Sequence, residues 1–182
     1  MRAFIAVDLG SEIGARLAGL QEKVAPFGNF SFVRKGQFHI TLKFLGEVNE
    51  GDVKFISEQV KSAAKGMKQF TLSLKGAGYF TRGNFVSVVW VGIDKGYEHL
   101  KKLGAGLNEK LKKFGNDDFD FKPHLTIARV KWVKDEEGLV NTIKALEGVN
   151  IGEFCVKGLK LKKSVLEPTG PVYSDLETFN LE

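Results

Sequence analysis

Two periods of apolar residues run through this chain. Phe38, Ile40, Leu42 and Phe44 alternate with His39, Thr41 and Lys43, and this period of two predicts a strand with one covered and one open face. After Pro123 a second stretch repeats the pattern, with Leu125 and Ile127 inward and His124, Thr126 and Ala128 outward. Helical spacing joins Ile13, Leu17, Leu20 and Val24, and then Val53, Ile56, Val60 and Ala64. It also joins Tyr97, Leu100, Leu103, Leu107, Leu111 and Phe114, and lastly Leu139, Ile143 and Leu146. Ser11 is the expected cap of the first helix, which closes near Pro26 and Gly28, and Asn49 opens the second. Gly104 and Gly106 weaken the third by roughly 1 kcal/mol each relative to alanine, and leave room for close packing. Strands are predicted over Arg2 to Leu9, Phe30 to Arg34, Phe38 to Leu45, Phe70 to Lys75 and Phe85 to Ile93. Four more follow over Phe119 to Phe121, Lys122 to Val130, Glu153 to Val165 and Val172 to Phe179. Gly76-Ala77-Gly78 and Thr81-Arg82-Gly83-Asn84 read as turns.

The resulting order, β-α-β-β-α-β-β-α-β-β-α-β-β, repeats itself. Phe27-Gly28-Asn29 precedes the first alternating stretch after a helix, and Phe114-Gly115-Asn116 precedes the second after another. A helix follows each stretch, then Gln69-Phe70-Thr71-Leu72 or Glu153-Phe154-Cys155-Val156. The expected architecture is α+β: a bilobal, pseudo-two-fold duplicated fold of two mainly antiparallel sheets with outer helices and a central cleft. No Pro- or Ser-rich linker divides the halves, so residues 1–182 are expected to form a single domain of two intertwined lobes.

Composition narrows the class. With 182 residues, 43% apolar and 27% charged, the chain can bury a sizeable core and does not read as disordered. A net charge of +5 suits a polyanionic partner such as RNA, without a basic arm dedicated to it. Lys157, Lys160, Lys162 and Lys163 read as a solvated strand face. Cys155 is the single cysteine, expected in or near the core, and suits a reducing compartment. No apolar run approaches membrane length, and the first strand is too soon interrupted by Asp8 to be a signal peptide. A cytoplasmic protein is the expectation, and a monomer, since no apolar stripe is left over once the helices are packed.

His39-Ile40-Thr41-Leu42 and His124-Leu125-Thr126-Ile127 use two of the three histidines. One histidine on an open sheet face is ordinarily idle. Two with identical spacing and parity, at corresponding places in the two halves, point to a site. Each puts an imidazole and a hydroxyl on the same side of its strand. Imidazoles titrate near neutrality, so one can be neutral and the other charged at one pH. The neutral ring takes a proton from water, and the charged ring gives one to a leaving alkoxide. Thr41 and Thr126 can donate to the non-bridging oxygens of a phosphoryl group, where charge accumulates. A strained cyclic phosphodiester suits such a site. A catalytic zinc site normally takes three protein ligands, and no Asp, Glu or Cys lies at matching parity near either motif. His99, beside Glu98 and Lys101, reads as solvent-facing. No nucleophile elbow, phosphate-binding loop or dinucleotide fingerprint is present, so neither metal nor cofactor is expected.

These paired motifs resemble the 2H phosphoesterase superfamily, and within it the LigT-type RNA 2′,3′-cyclic phosphodiesterases of the 2′-5′ RNA ligase family. The likeness runs nearly end to end, from Arg2-Ala3-Phe4-Ile5-Ala6-Val7-Asp8 through His39-Ile40-Thr41-Leu42-Lys43-Phe44-Leu45-Gly46 and Phe121-Lys122-Pro123-His124-Leu125-Thr126-Ile127-Ala128-Arg129. It continues through Ser164-Val165-Leu166 and Gly170-Pro171-Val172-Tyr173. The resemblance implies hydrolysis of a terminal RNA 2′,3′-cyclic phosphate to a 2′-phosphate, tRNA fragments being one such RNA. It also implies reversible 2′-5′ joining of RNA ends without a nucleotide cofactor. His39 is implied as acid, His124 as base, and Phe44 and Arg129 as the residues that sandwich the terminal base. Simple alternation puts Phe44 and Arg129 on the core side, so that role needs a bulge or a strand end. Otherwise Phe44 is a core residue. Lys43, on the polar parity, reads as a solvated lysine. Two other functions remain open: a phosphodiesterase for a small, ADP-ribose-derived cyclic phosphate, and a non-catalytic RNA-end binding module. The intact His and Thr of both motifs favour catalysis.

Overall fold

Alternation and helical spacing resolve into two antiparallel sheets with helices on their outer faces. A computed structural model of the chain describes residues 1–115, 121–167 and 170–182. Its strands are β1 (Arg2–Asp8), β2 (Gly28–Phe32), β3 (His39–Glu47), β4 (Phe70–Arg82), β5 (Phe85–Ile93), β6 (Leu125–Val133), β7 (Asn150–Val156), β8 (Gly158–Glu167) and β9 (Gly170–Asn180). The helices are α1 (Ser11–Val24), α2 (Val53–Ala64), α3 (Tyr97–Lys110) and α4 (Glu136–Ala145). One sheet has the order β3-β1-β8-β9 and the other β2-β6-β5-β4-β7. β4, from the first half, lies between β5 and β7, whereas β8 and β9, from the second half, extend the sheet of β1 and β3.

Helical periodicity predicts the buried faces well. Ile13, Leu17, Leu20 and Val24 of α1, Ile56, Val60 and Ala64 of α2, and Leu100, Leu103 and Leu107 of α3 are all buried. So are Leu139 and Ile143 of α4. α1 and α4 lie against the five-stranded sheet, and α2 and α3 against the four-stranded one. Burying each such Leu or Ile contributes about 1.5–3 kcal/mol. Asp135 caps α4, its Oδ1 accepting from Gly138 N at 2.9 Å. Gly104 does leave room on α3: a Cβ there would stand 2.5 Å from the Phe121 ring. Among the described residues no helix is long and apolar enough to cross a membrane.

Several elements differ from the sequence expectation. α1 begins at Ser11 itself, with Gly10 in the cap position. β4 continues through Gly76-Ala77-Gly78, which is a bulge rather than a turn. Gly76 has φ +73°, and a Cβ there would stand 2.3 Å from the Glu147 carbonyl oxygen, so only glycine fits. Thr81 and Arg82 belong to β4, leaving Gly83-Asn84 as the hairpin turn. The strand expected from Glu153 to Val165 breaks at Lys157 into β7 and β8, which join different sheets. Residues 119 and 120 of the strand expected at Phe119 to Phe121 lie outside the described residues, and Phe121 is in no strand. Cys155 is exposed on the edge strand β7, where Val156 takes the inward place.

The lysines of β8 are not a uniformly solvated face. Lys162 is only 7% exposed, and its Nζ donates to both Asp8 oxygens, at 2.9 and 2.8 Å, and to Asp175 Oδ1 at 2.7 Å. Lys160 pairs with the same two carboxylates. An ammonium so enclosed is tolerated because every side of it is charge-compensated.

Candidate active site

His39 starts β3, directly opposite Asp8 of β1. His124 lies one residue before β6 and two before Thr126. In both motifs the ring is fixed in the same way. His39 Nδ1 lies 2.8 Å from the Gln37 carbonyl oxygen, and His124 Nδ1 lies 2.7 Å from the Lys122 carbonyl oxygen. A carbonyl only accepts, so Nδ1 carries hydrogen in each ring. Nε2 is left as the atom that gains and loses a proton. Thr41 and Thr126, half-buried, take the same strand faces two residues on.

Aromatic rings hold both imidazoles. His39 packs on Phe4 at 4.9 Å between centroids and against the edge of Tyr173 at 4.9 Å, and Phe4 and Tyr173 meet edge-on at 5.2 Å. His124 meets the edge of Phe80 at 4.9 Å and lies 6.4 Å from Trp90. In the sequence Phe4 is hidden within the apolar run of β1. Ala3, Ile5 and Val7 take the core face of β1, so Phe4 falls by ordinary alternation on the other, where its ring packs with His39, Phe44 and Tyr173.

Matched bulges then change the face of each motif strand. In the β1–β3 pair, Ile5 stands opposite Lys43 and Ala6 opposite Thr41, leaving Leu42 extra. In the β5–β6 pair, Val89 stands opposite Ala128 and Trp90 opposite Thr126, leaving Ile127 extra. Both extra residues come three positions after their histidine. An inserted residue flips all that follow to the other face. Phe44 and Arg129 therefore return to the histidine side: both are exposed, Phe44 53% so, with its ring 6.1 Å from Phe4. The core placement of Phe44 that strict alternation predicts is overturned. So are the outward Ala128, which is fully buried, and the solvated Lys43. Lys43 is 4% exposed and donates from Nζ to Asn108 Oδ1 of α3 at 2.7 Å.

Charge links the two halves of the site. Arg129, on the five-stranded sheet, acts on His39, on Tyr173 of the four-stranded sheet and on His124. Burial holds both imidazoles below their ordinary pKa, and the Arg129 guanidinium adds to that. The backbone carbonyl at each Nδ1 works in the opposite direction. For His39 alone, the Asp8 carboxylate also favours the charged ring, against Lys162. The arrangement thus puts both imidazoles in the field of one guanidinium, each with Nε2 left to exchange a proton and a threonine hydroxyl two residues on, and sets His39 alone near a carboxylate. His99 is exposed, away from this cluster, and stacks on Phe70 with centroids 4.6 Å apart. Among the described residues no three His, Cys, Asp or Glu side chains are grouped to share a metal ion.

Sequence reasoning alone misses Asp8, Lys162, Phe4, Tyr173, Phe80 and Trp90 as site residues. The sequence signal for the first two is an acid ending a buried strand and a pair of lysines, Lys160 and Lys162, alternating with the core residues Leu159 and Leu161 of β8.

Comparison with known proteins places this geometry in context. The family model described as the 2′-5′ RNA ligase superfamily matches residues 11–160. A relative from Methanothermobacter thermautotrophicus, named RNA 2′,3′-cyclic phosphodiesterase, is 34% identical over 183 residues, covering 100% of this chain and 99% of its own. The crystal structure of TT0787 from Thermus thermophilus superimposes with a TM-score of 0.81 and 34% identity, covering 100% of this chain and 98% of that one. The structure of Escherichia coli LigT complexed with 3′-AMP does so with a TM-score of 0.79 and 26% identity, covering 99% and 97%.

Proposed function

The chain belongs to the 2′-5′ RNA ligase superfamily, and from that premise we propose that it is a metal-independent RNA 2′,3′-cyclic phosphodiesterase working by paired histidine acid–base catalysis. One observation carries the reading: both imidazoles donate from Nδ1 to a backbone carbonyl, leaving two Nε2 atoms for proton exchange beside one shared guanidinium. The name of the M. thermautotrophicus relative and the 3′-AMP in the LigT structure support an RNA terminus as substrate.

In this reading, residues 1–182 act as one domain with one motif per half. Phe44 and Arg129 hold the terminal base between ring and guanidinium. The Thr41 and Thr126 hydroxyls donate to the two non-bridging phosphate oxygens. His124 Nε2 takes a proton from water as its oxygen bonds to phosphorus. The bond from phosphorus to O3′ breaks, and protonated His39 Nε2 delivers its proton to that oxygen. The product keeps a 2′-phosphate and a free 3′-hydroxyl. The Asp8 carboxylate behind His39 supports giving that ring the acid's role, since it favours the charged form. A 5′-hydroxyl in place of the water makes a 2′-5′ linkage by the same proton transfers.

The test is an oligonucleotide ending in a 2′,3′-cyclic phosphate, incubated with the protein in EDTA and followed by phosphorus NMR. Conversion to a 2′-phosphate is expected, with His39→Ala and His124→Ala each lowering kcat by about 10²–10⁴-fold. Zinc-dependent turnover would refute the metal-free mechanism, and binding without conversion would leave an RNA-end binding module.

A further inference from the structure

We propose that the open face of the five-stranded sheet beyond Arg129 is a platform for single-stranded RNA upstream of the cyclic end, with Phe85 and Trp132 as its stacking rings. The proposal rests on the RNA-end reading above and extends it to the body of the substrate.

Strand register fixes the geometry, because residues directly opposite one another share a face. Phe80, whose ring touches His124, stands opposite Val88, and Val88 stands opposite Arg129. That row is therefore the cleft face. Towards the β4–β5 hairpin an extra residue, Ser87, intervenes, so Thr81 and core residue Val86 face away from the cleft. The next pair, Arg82 and Phe85, returns to the cleft side. On β6, Val130 and Val133 pack on the core, opposite Phe30 and Gly28. Trp132, opposite the exposed Asn29, takes the other face, the one that carries Arg129. Phe85 and Trp132 each stand three residues beyond the Val88–Arg129 pair, on neighbouring strands. Three residues of strand span about 10 Å.

Phe85 is 70% exposed and Trp132 55%. With Phe44 they are the three most exposed Phe, Tyr and Trp side chains among the described residues, and all three lie on the faces that border the cleft. Rings left bare on a sheet, with Arg82, Arg129 and Lys131 interleaved, combine stacking surface with positive charge. Single-stranded nucleic acid uses both, as bases stack on rings while the backbone follows the cations. The nearby carboxylate, Glu136, is engaged by the Val86 N–H at 3.0 Å. Continuity with Arg129 sets the occupant: the strand whose terminal base lies there must leave the site across one of its borders, and this border carries rings and cations.

The experiment compares kcat/KM for a nucleoside 2′,3′-cyclic monophosphate with that for an eight-nucleotide RNA ending in the same group. The wild-type protein should prefer the oligonucleotide. Phe85→Ala and Trp132→Ala should each reduce oligonucleotide kcat/KM by about 5- to 150-fold, the range for losing one stacked base. Turnover of the mononucleotide should stay within about twofold, since neither ring touches the reacting group, and circular dichroism would confirm the fold. An unchanged preference in the double variant overturns the platform and leaves these rings to a protein partner. Equal losses on both substrates overturn it in favour of a structural role. Should the wild type open neither substrate, the catalytic reading fails separately. The platform is then judged by fluorescence anisotropy of the labelled oligonucleotide, which must weaken in both variants.

Discussion

Removing the ammonium behind His39 offers the sharpest test of how the two histidines differ. Lys162→Met deletes three charge-assisted hydrogen bonds, to both Asp8 oxygens and to Asp175, while keeping most of the side-chain volume. Breaking a fully buried ion pair costs about 3–5 kcal/mol. Here the Lys162 side chain is 9% exposed, but Asp8 is 30% and Asp175 40% exposed, and both keep Lys160. Water and the second lysine therefore screen the orphaned carboxylates, and about 2 kcal/mol is the expected loss. In a protein of this size that lowers Tm by about 4–8 °C. The effect on His39 has a definite sign. Lys162 disfavours the imidazolium and Asp8 favours it, so Lys162→Met should raise the His39 pKa and Asp8→Asn should lower it. His124, on which neither residue acts, should not move. Proton NMR titration of the imidazole C–H signals reads both rings, and the pH dependence of kcat/KM on a cyclic mononucleotide reads the consequence. Shifts of the same sign in the two variants, or equal shifts at both rings, would refute the reasoning.

Further outcomes follow from the same geometry. Phe44→Ala should fold with nearly unchanged Tm, because the ring is half exposed, yet raise KM for the cyclic end by about 5- to 150-fold; a large loss of Tm would return Phe44 to the core. Burial depresses both site histidines, so the unfolded chain takes up protons at higher pH than the folded one. Stability is therefore full above the ordinary imidazole pKa of about 6.5 and declines as pH falls below it. A double His39→Gln, His124→Gln variant should flatten that decline in thermal melts from about pH 7 to 5, and an unaltered slope would contradict the burial argument. Gly76→Ala should cost more than about 1 kcal/mol in urea unfolding, from left-handed strain and from collision with the Glu147 carbonyl; a neutral substitution would show that the bulge relaxes.

Period and spacing carry much of this structure. The faces of α1 to α4 and the two motif strands can be read from apolar repetition, and the scarcity of histidine singles out His39 and His124 as candidates. What cannot be read is register. A bulge adds one residue without changing composition, so nothing near Leu42 or Ile127 announces that Phe44 and Arg129 change sides. The Lys162 cluster is hidden for a different reason. Its partners, Asp8 and Asp175, come from β1 and β9, and only the sheet order brings them beside β8. Cys155 shows the limit of alternation on an edge strand, where an apolar neighbour faces inward and the thiol does not.

The exchange of strands between the two sheets also constrains how the protein is made. β1 and β3 leave the ribosome early, but β1 finds its other neighbour only when β8 arrives, with Arg2 opposite Ser164. Loop closure over nearly the whole chain must precede that pairing, which slows folding and leaves an edge of β1 uncovered meanwhile. A nascent chain stalled before β8 therefore presents an unpaired, apolar strand to whatever is nearby, and truncation anywhere before Gly158 should yield an aggregating product rather than a working half.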